Sequence, residues 1–204
     1  MLSFISLCLR VKQKRQMKSN LRQKYISLRE SLSIAELEEQ SIEIANRLLK
    51  LPIWDFEFYH IFLSIAEKKE IDTEPILHIL QGMDKNIVLS KSDFETTQLH
   101  NYLLTDSTVI KKNRWGIPEP QGGVEIPAKQ LDVVFVPLLT FDEQGHRVGY
   151  GKGFYDIFLS GCKPEVVKVG LSLFEAEENI PGILESDVPL DYCVTPSNIY
   201  NFKK

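Results

Sequence analysis

The sequence predicts an α/β protein: a three-layer α/β/α sandwich with a mainly parallel sheet, preceded by an N-terminal helical hairpin. The main observation is that apolar runs typical of buried strands alternate with amphipathic helical patterns along the chain. The chain has 204 residues, 43% hydrophobic and 25% charged, which suffices for one globular domain with a core. No internal repeat or linker divides it. We therefore expect a single domain over residues 17–204.

The first predicted helix covers residues 18–30. Apolar side chains recur there at helical spacing and form one stripe. Lys18, Arg22 and Arg29 fall together beside the stripe and form a basic ridge. Taken alone, such a ridge is more often a solvated helix face than a binding site.

The rest of the chain alternates between helices and strands. Ser33 and Glu36 form a capping box that starts a second helix, which Pro52 ends. The Thr-Glu-Pro sequence at residues 73–75 starts a third helix. We predict strands over residues 58–63, 86–90, 98–104, 131–136, 166–171 and 192–195. Residues 111–127, with three Pro and three Gly, are expected to be mostly loop.

The first 16 residues place a short apolar stretch before a basic cluster, the reverse of a secretory signal. Met17 directly precedes the first patterned helix. We therefore expect residues 1–16 to be a disordered extension or the product of a misassigned start codon.

Composition excludes several classes of protein. The net charge of -4 lacks the basic excess of a nucleic-acid binder. No apolar run approaches the roughly 20 residues of a membrane-spanning helix. Three cysteines without a C-x-x-C pair disfavour both a disulfide framework and a cysteine zinc site. We expect a cytoplasmic protein, acting on small molecules, without nucleic-acid or membrane partners.

Residues 145–156, GHRVGYGKGFYD, carry the chemistry. They follow the predicted strand 131–136 and precede an apolar helix that Gly161 ends. Glycines at positions 149, 151 and 153 allow positive φ angles and a close approach of backbone N–H groups to an anion. Arg147 and Lys152 add two cations at the rim. We interpret this segment as a phosphate site.

The segment fits neither familiar nucleotide pattern. A Walker A motif needs Ser or Thr after Gly-Lys, where this chain has Gly153, and a dinucleotide fingerprint needs glycine where Phe154 stands. Asp156 could hold Mg²⁺ beside phosphates, or it could be a carboxylate favoured at a helix start. A turn that merely needs the backbone freedom of glycine is the plainer alternative for the loop.

The run from Arg147 to Asp156 resembles the signature loop of the 5-formyltetrahydrofolate cyclo-ligase family, also called 5,10-methenyltetrahydrofolate synthetases. Weaker matches follow in the family's order over nearly everything after Met17. They are K-S-N-L-R at 18–22 with Arg29, I-F-L-S at 61–64, E-I-D-T at 70–73, W-G-I-P-E-P at 115–120, D-V-P-L-D at 187–191, and Thr195-Pro196.

The resemblance implies a three-layer α/β sandwich and the ATP- and Mg²⁺-dependent cyclisation of 5-formyltetrahydrofolate to 5,10-methenyltetrahydrofolate, releasing ADP and phosphate. It implies catalytic roles for Arg147, Lys152 and Tyr155, and Mg²⁺ binding by Asp156 and Asp187. The implied ATP contacts are Lys18, Arg22, Arg147, Val148, Gly149, Tyr150, Gly151, Lys152, Gly153, Phe154 and Tyr155. The implied contacts to the reduced folate are Leu63, Glu70, Trp115, Tyr150, Gly151, Lys152, Gly153 and Phe154.

Two departures from the family pattern concern the site. The stretch between Leu63 and Glu70 is longer than the family's, so Glu67 could take the substrate-facing place instead. Ser186 precedes Asp187 where many members have His. The four histidines show no metal-ligand spacing, and we expect His60, in an apolar strand, to be a core residue.

Two other functions compete with this one. An enzyme acting on another phosphorylated substrate, such as a sugar phosphate or a coenzyme A derivative, could keep the loop without folate. A protein that sequesters folates without turning them over is the second. For the cyclo-ligase function we expect a monomer.

Overall fold

A seven-stranded sheet forms the centre of the protein. In the computed structural model, residues 2–203 are described, with side chains from residue 16 onward. The strands are β1 (Phe58–His60), β2 (Asn86–Asp93), β3 (Gln98–Leu103), β4 (Ile110–Lys112), β5 (Pro118–Pro120), β6 (Val133–Pro137), β7 (Thr140–Phe141), β8 (Arg147–Val148), β9 (Val167–Leu171), β10 (Tyr192–Val194) and β11 (Ile199–Asn201). The helices are α1 (Leu2–Ser31), α2 (Ile34–Leu48), α3 (Glu74–Gly82) and α4 (Phe154–Ser160), with short 3-10 turns at Ala66–Lys68 and Ala128–Gln130.

The sheet is mainly parallel, as the sequence predicts. Its strand order is β11-β10-β9-β6-β1-β2-β3. Neighbouring strands from β10 to β2 pair in parallel, whereas the edge strands β3 and β11 pair antiparallel. Strands β4 and β5, and strands β7 and β8, form two separate hairpins.

Two apolar cores, one on each face of the sheet, confirm the three-layer architecture. Val133 and Phe135 of β6 join the core that contains the apolar sides of α2 and α3. Val134 and Val136 point to the opposite face, where the core includes Phe158 of α4. These four side chains of β6 are fully buried. A strand covered on both faces is apolar throughout, which explains why residues 131–136 carry the strongest strand signal in the sequence.

The capping box predicted at the start of α2 is confirmed. The Ser33 hydroxyl accepts the Glu36 N–H at 3.2 Å, and the Glu36 carboxylate accepts the Ser33 N–H at 2.7 Å. Two backbone donors that a helix start leaves unpaired are thereby satisfied.

Replacing Ser33 with alanine is expected to lower the free energy of unfolding by about 1 kcal/mol, because a helix N-cap is lost. Urea denaturation measures this change. Ser31→Ala is the matched control: Ser31 is exposed and its hydroxyl bonds only the Leu28 carbonyl. The control should stay within about 0.5 kcal/mol of the wild type. Equal losses in both variants would contradict the capping assignment.

Helix α1 packs against the part of the protein that contains the glycine-rich segment, residues 145–156. It runs continuously from Leu2 to Ser31, and the assignment of residues 1–16 as an extension or a misassigned start stays a prediction. No Gly or Pro interrupts residues 2–31, which allows this continuation. The C-terminal part of α1 contacts β7 and β8, and Tyr25 packs on Phe174 with ring centroids 5.2 Å apart. Among the described helices, none combines the length and apolar character needed to cross a membrane.

Short strands account for the differences from the predicted elements. Residues 111–127 contain most of the β4–β5 hairpin rather than loop alone. The β7–β8 hairpin separates β6 from the glycine-rich segment, with Asp142 accepting the His146 N–H in its turn. Strand β1 ends at His60, after which the chain leaves the sheet and carries Glu70 towards the site. Strands of two or three residues are too short to produce a clear sequence period.

Candidate active site

Residues 149–153 form the glycine-rich loop between β8 and α4. Gly151 and Gly153 have φ angles of 90° and 79°, in the region that favours glycine, whereas Gly149 does not use a positive φ. Within the described part of the chain, no backbone N–H of residues 149–153 has a protein acceptor. Unpaired backbone donors of this kind can bind an anion, and that use of the loop stays a prediction.

Arg22 holds this loop against α1. Its Nε donates to the Gly149 carbonyl at 2.9 Å. The guanidinium also lies against Gly151, where a Cβ atom would come within 2.9 Å of the Arg22 guanidinium carbon. Gly151 is therefore required both for its φ angle and for this close approach. The predicted basic ridge of α1 thus reaches the loop.

The two cations of the loop lie in different environments. Lys152 is exposed and has no ion pair within residues 16–203. Arg147 differs from its expected place at the rim. Its side chain is 7% exposed, and its guanidinium donates to Asp156 at 2.8 Å and to the Val188 carbonyl. Arg147 follows directly on the β7–β8 turn, and this position directs it inward. Lys152 is thus the cation available to a phosphate at the loop.

Asp156 and Asp187 are the predicted metal ligands. Asp156 contacts the backbone of Val188, the residue that follows Asp187 in the chain. Asp156 Oδ1 accepts from Arg147 and from the Val188 N–H, the latter at 3.2 Å. Asp187 Oδ2 accepts from Lys18 at 2.6 Å and from the Leu184 N–H at 3.0 Å. The other oxygen of each carboxylate has no hydrogen-bond donor among the described residues.

This donor set fits Mg²⁺, which commonly takes one or two carboxylates and completes its shell with water and phosphate oxygens. No group of three or more His, Cys, Asp or Glu is arranged to hold a metal in the described part of the chain. Protein groups alone therefore do not build a complete cage here. The assignment of Asp156 and Asp187 as Mg²⁺ ligands stays a prediction.

Lys18 joins the candidate site through its ion pair with Asp187. Burial raises the pKa of Asp187, but the hydrogen bonds from Lys18 and Leu184, with the charges of Lys18 and Arg147, outweigh it and lower the pKa overall. The carboxylate is therefore ionised at neutral pH and able to bind a cation. The predicted contact of Lys18 with ATP would share its ammonium with Asp187.

Glu70 lies in the site and Glu67 does not. The Glu70 side chain is 7% exposed; its Oε1 accepts the Tyr150 hydroxyl at 2.6 Å and its Oε2 accepts the Ile65 N–H at 2.9 Å. Glu67 is exposed on the 3-10 turn and pairs with Lys112. The longer segment after Leu63 therefore places Glu67 on the surface and returns Glu70 to the site. Leu63 itself is half-buried against the core.

Tyr155 lies at the start of α4 against His60. The two rings meet edge-on at 6.0 Å. Burial, with the nearby charge of Glu70, raises the pKa of Tyr155, so its phenol stays protonated and can donate a hydrogen bond. Burial lowers the pKa of His60 to about 3, and its Nε2 lies 2.6 Å from the Ser90 hydroxyl. His60 is a neutral core residue, as predicted.

An aromatic wall of Trp115, Phe94 and Phe154 borders the loop. The ring centroids of Trp115 and Phe94 are 3.6 Å apart, and those of Phe94 and Phe154 are 5.1 Å apart. Phe94 and Trp115 also line an open cavity of about 470 Å³, and Trp115 is the one predicted site residue among the residues that line it. The glycine-rich loop and the carboxylates of Glu70, Asp156 and Asp187 do not line that cavity. Val148, predicted to contact ATP, has its side chain buried in the core.

Two residues of the site have no assigned role in the sequence prediction. Phe94 falls in a segment with no clear pattern, and no sequence signal points to it. Arg29 belongs to the predicted basic ridge of α1, seven residues after Arg22, but the sequence assigns it no contact in the site. Its Nη1 donates to the Tyr150 hydroxyl at 2.9 Å.

Comparison with known proteins decides the family. Residues 14–196 match the model of the 5-formyltetrahydrofolate cyclo-ligase family. The chain belongs to the 5-formyltetrahydrofolate cyclo-ligase family. The resemblance of residues 147–156 to the cyclo-ligase signature loop is thereby confirmed, and with it the three-layer fold that it implies.

Relatives of this cyclo-ligase family cover most of the chain. A 5-formyltetrahydrofolate cyclo-ligase of Haemophilus influenzae is 30% identical over 183 residues, 86% of this chain and 95% of that protein. One from Escherichia coli K12 is 30% identical over 180 residues, 85% of this chain and 97% of that protein. The solved 5,10-methenyltetrahydrofolate synthetase of Aquifex aeolicus superposes with a TM-score of 0.79 at 29% identity, covering 92% of this chain and 94% of that one.

Proposed function

We propose that this protein converts 5-formyltetrahydrofolate to 5,10-methenyltetrahydrofolate, using ATP and Mg²⁺ and releasing ADP and phosphate. One observation carries the proposal: the glycine-rich loop, with its unpaired N–H groups, reaches Glu70 through the 2.6 Å hydrogen bond of Tyr150. A site for phosphate therefore lies beside a site for a hydrogen-bonding substrate. A phosphoryl transfer between two bound molecules requires that their binding sites lie side by side.

The N-formyl oxygen must be activated, because it is a poor leaving group. In the proposed reaction the γ-phosphoryl group of ATP moves to the formyl oxygen, and the bond to ADP breaks. N10 of the folate then attacks the formyl carbon and loses its proton. The bond from that carbon to the phosphorylated oxygen breaks, and phosphate departs. Positioning and charge neutralisation are the main contributions that a protein makes to such a transfer.

The glycine-rich loop and its cations would bind the phosphates of ATP. The N–H groups of residues 149–153 would donate hydrogen bonds to phosphate oxygens, and Lys152 would neutralise the charge of the transferred group. Arg22 would hold the loop in shape and Arg147 would keep Asp156 in place. Asp156 and Asp187 would bind Mg²⁺, which supplies charge neutralisation at the phosphates when bound.

Glu70 would bind the reduced folate. A carboxylate accepts hydrogen bonds from the N–H groups of a pterin ring, and each of its oxygens has room for a second donor. Leu63 and the aromatic wall would contact the flat rings of the substrate. The protonated Tyr155 would donate a hydrogen bond beside them.

Glu70→Gln is expected to raise the KM for 5-formyltetrahydrofolate by about 10- to 100-fold, because a charge-assisted hydrogen bond is lost. Glu67→Gln, the matched control on the surface, should leave the KM unchanged. Steady-state kinetics at saturating MgATP measures both. A larger effect at Glu67 than at Glu70 would reverse the assignment of these two carboxylates.

The direct test is to mix the purified protein with 5-formyltetrahydrofolate and MgATP and to follow the absorbance of the methenyl product. We expect product only when ATP is present. Reduced folate that binds but survives incubation with MgATP would identify a protein that sequesters folates. A folded protein that binds ATP but no folate would indicate another substrate for the phosphate loop.

A further inference from the structure

A chain of two hydrogen bonds joins the two halves of the proposed site. Arg29 Nη1 donates to the Tyr150 hydroxyl at 2.9 Å, and this hydroxyl donates to Glu70 Oε1 at 2.6 Å. The Arg29 guanidinium also lies 4.0 Å from the same carboxylate oxygen. The Tyr150 hydroxyl thus contacts both the Arg29 cation of α1 and the Glu70 carboxylate. The backbone of Tyr150 belongs to the glycine-rich loop.

Both ends of this chain are buried and anchored. Arg29 is 5% exposed, and its Nη2 donates to the Leu138 carbonyl at 2.9 Å. Glu70 is 7% exposed, and its second oxygen accepts the Ile65 N–H. Tyr150 between them is 39% exposed. Its position therefore follows the conformation of the glycine-rich loop, whereas the two ends are fixed by the core.

We propose that Arg29 is a positioning residue, which acts through the Tyr150 hydroxyl to hold Glu70 and the glycine-rich loop in one shared arrangement. The inference rests on the proposed function, in which the loop binds the phosphates of ATP and Glu70 binds the folate. A nucleotide that orders the loop also fixes Tyr150 against Glu70. Nucleotide binding therefore strengthens folate binding, and the reverse effect has the same factor by thermodynamic linkage.

Tyr150→Phe tests this coupling, because it removes the hydroxyl and keeps the ring. Calorimetry measures the Kd of 5-formyltetrahydrofolate with and without a saturating, non-hydrolysable ATP analogue and Mg²⁺. In the wild type we expect the analogue to lower the folate Kd about fivefold or more. In Tyr150→Phe the effect should fall below about twofold. Arg29→Lys should lose the coupling as well, because a single ammonium does not replace the guanidinium fork that reaches both Tyr150 and Leu138.

Tyr200→Phe is the matched control. Its hydroxyl donates to Glu175 at 2.6 Å, a bond of the same kind on β11, outside the proposed site. This variant should keep the coupling of the wild type. Unchanged coupling in Tyr150→Phe, or none in the wild type, would overturn the inference while leaving folate binding intact. A wild type that binds no reduced folate would instead overturn the proposed function itself. Should Arg29→Lys fail to fold, Tyr150→Phe decides alone.

Discussion

Replacing Lys152 with alanine is expected to lower kcat/KM by about 100- to 1000-fold, the loss typical of removing one charge-stabilising donor from a transition state. Lys152 is exposed and has no ion pair among the described side chains, so its ammonium is free to meet the transferred phosphoryl group. For the same reason, the free energy of unfolding should stay within about 0.5 kcal/mol of the wild type. Steady-state kinetics and urea denaturation measure the two quantities.

Lys129→Ala is the matched control for this variant. Lys129 is exposed on the 3-10 turn before β6 and lies outside the proposed site. Its removal changes the net charge of the protein by the same amount and should leave kcat/KM unchanged. Normal turnover in Lys152→Ala would refute the assignment of the loop as the site of phosphoryl transfer.

Asp156→Asn is expected to raise the Mg²⁺ concentration needed for half-maximal velocity at least about tenfold. The substitution removes one of two carboxylate charges, while its amide oxygen can still accept the hydrogen bond from Arg147. The fold should therefore survive the change. Titration with Mn²⁺, followed by electron paramagnetic resonance in the presence of an ATP analogue, measures metal binding independently of turnover.

Asp106→Asn controls for the loss of one negative charge. Asp106 is exposed in the turn between β3 and β4, away from the loop. We expect it to keep the Mg²⁺ requirement of the wild type. An unchanged requirement in Asp156→Asn would show that this carboxylate pairs with Arg147 and the Val188 N–H but does not bind the metal.

The layered fold could be predicted because its main strands and helices bury whole apolar faces, which leave clear patterns in the sequence. Strand β6 is apolar throughout because both of its faces are covered, and α2 begins with a capping box that the sequence displays. The β7–β8 hairpin and β11 were not predicted because strands of two or three residues give no clear sequence period, and because the β7–β8 turn also depends on a contact distant in sequence. Asp142, for example, fixes the β7–β8 turn and also accepts the Ile180 N–H.

The candidate site was predictable where it depends on local sequence, and less so where it depends on packing. The loop of residues 149–153 is recognisable because glycine at 151 and 153 is required by the backbone itself. The inward turn of Arg147, by contrast, depends on Asp156 and on Val188, a residue 41 positions away. The contact of Phe94 with Trp115 likewise joins residues whose spacing shows no pattern.

The most direct test of the account follows the formyl oxygen. The protein is incubated with MgATP and 5-formyltetrahydrofolate labelled with oxygen-18 in the formyl group, and phosphorus NMR then measures the label in the released phosphate. If the formyl oxygen is phosphorylated before N10 closes the ring, each phosphate carries one labelled oxygen. Unlabelled phosphate, formed together with the methenyl product, would contradict phosphorylation of the formyl group.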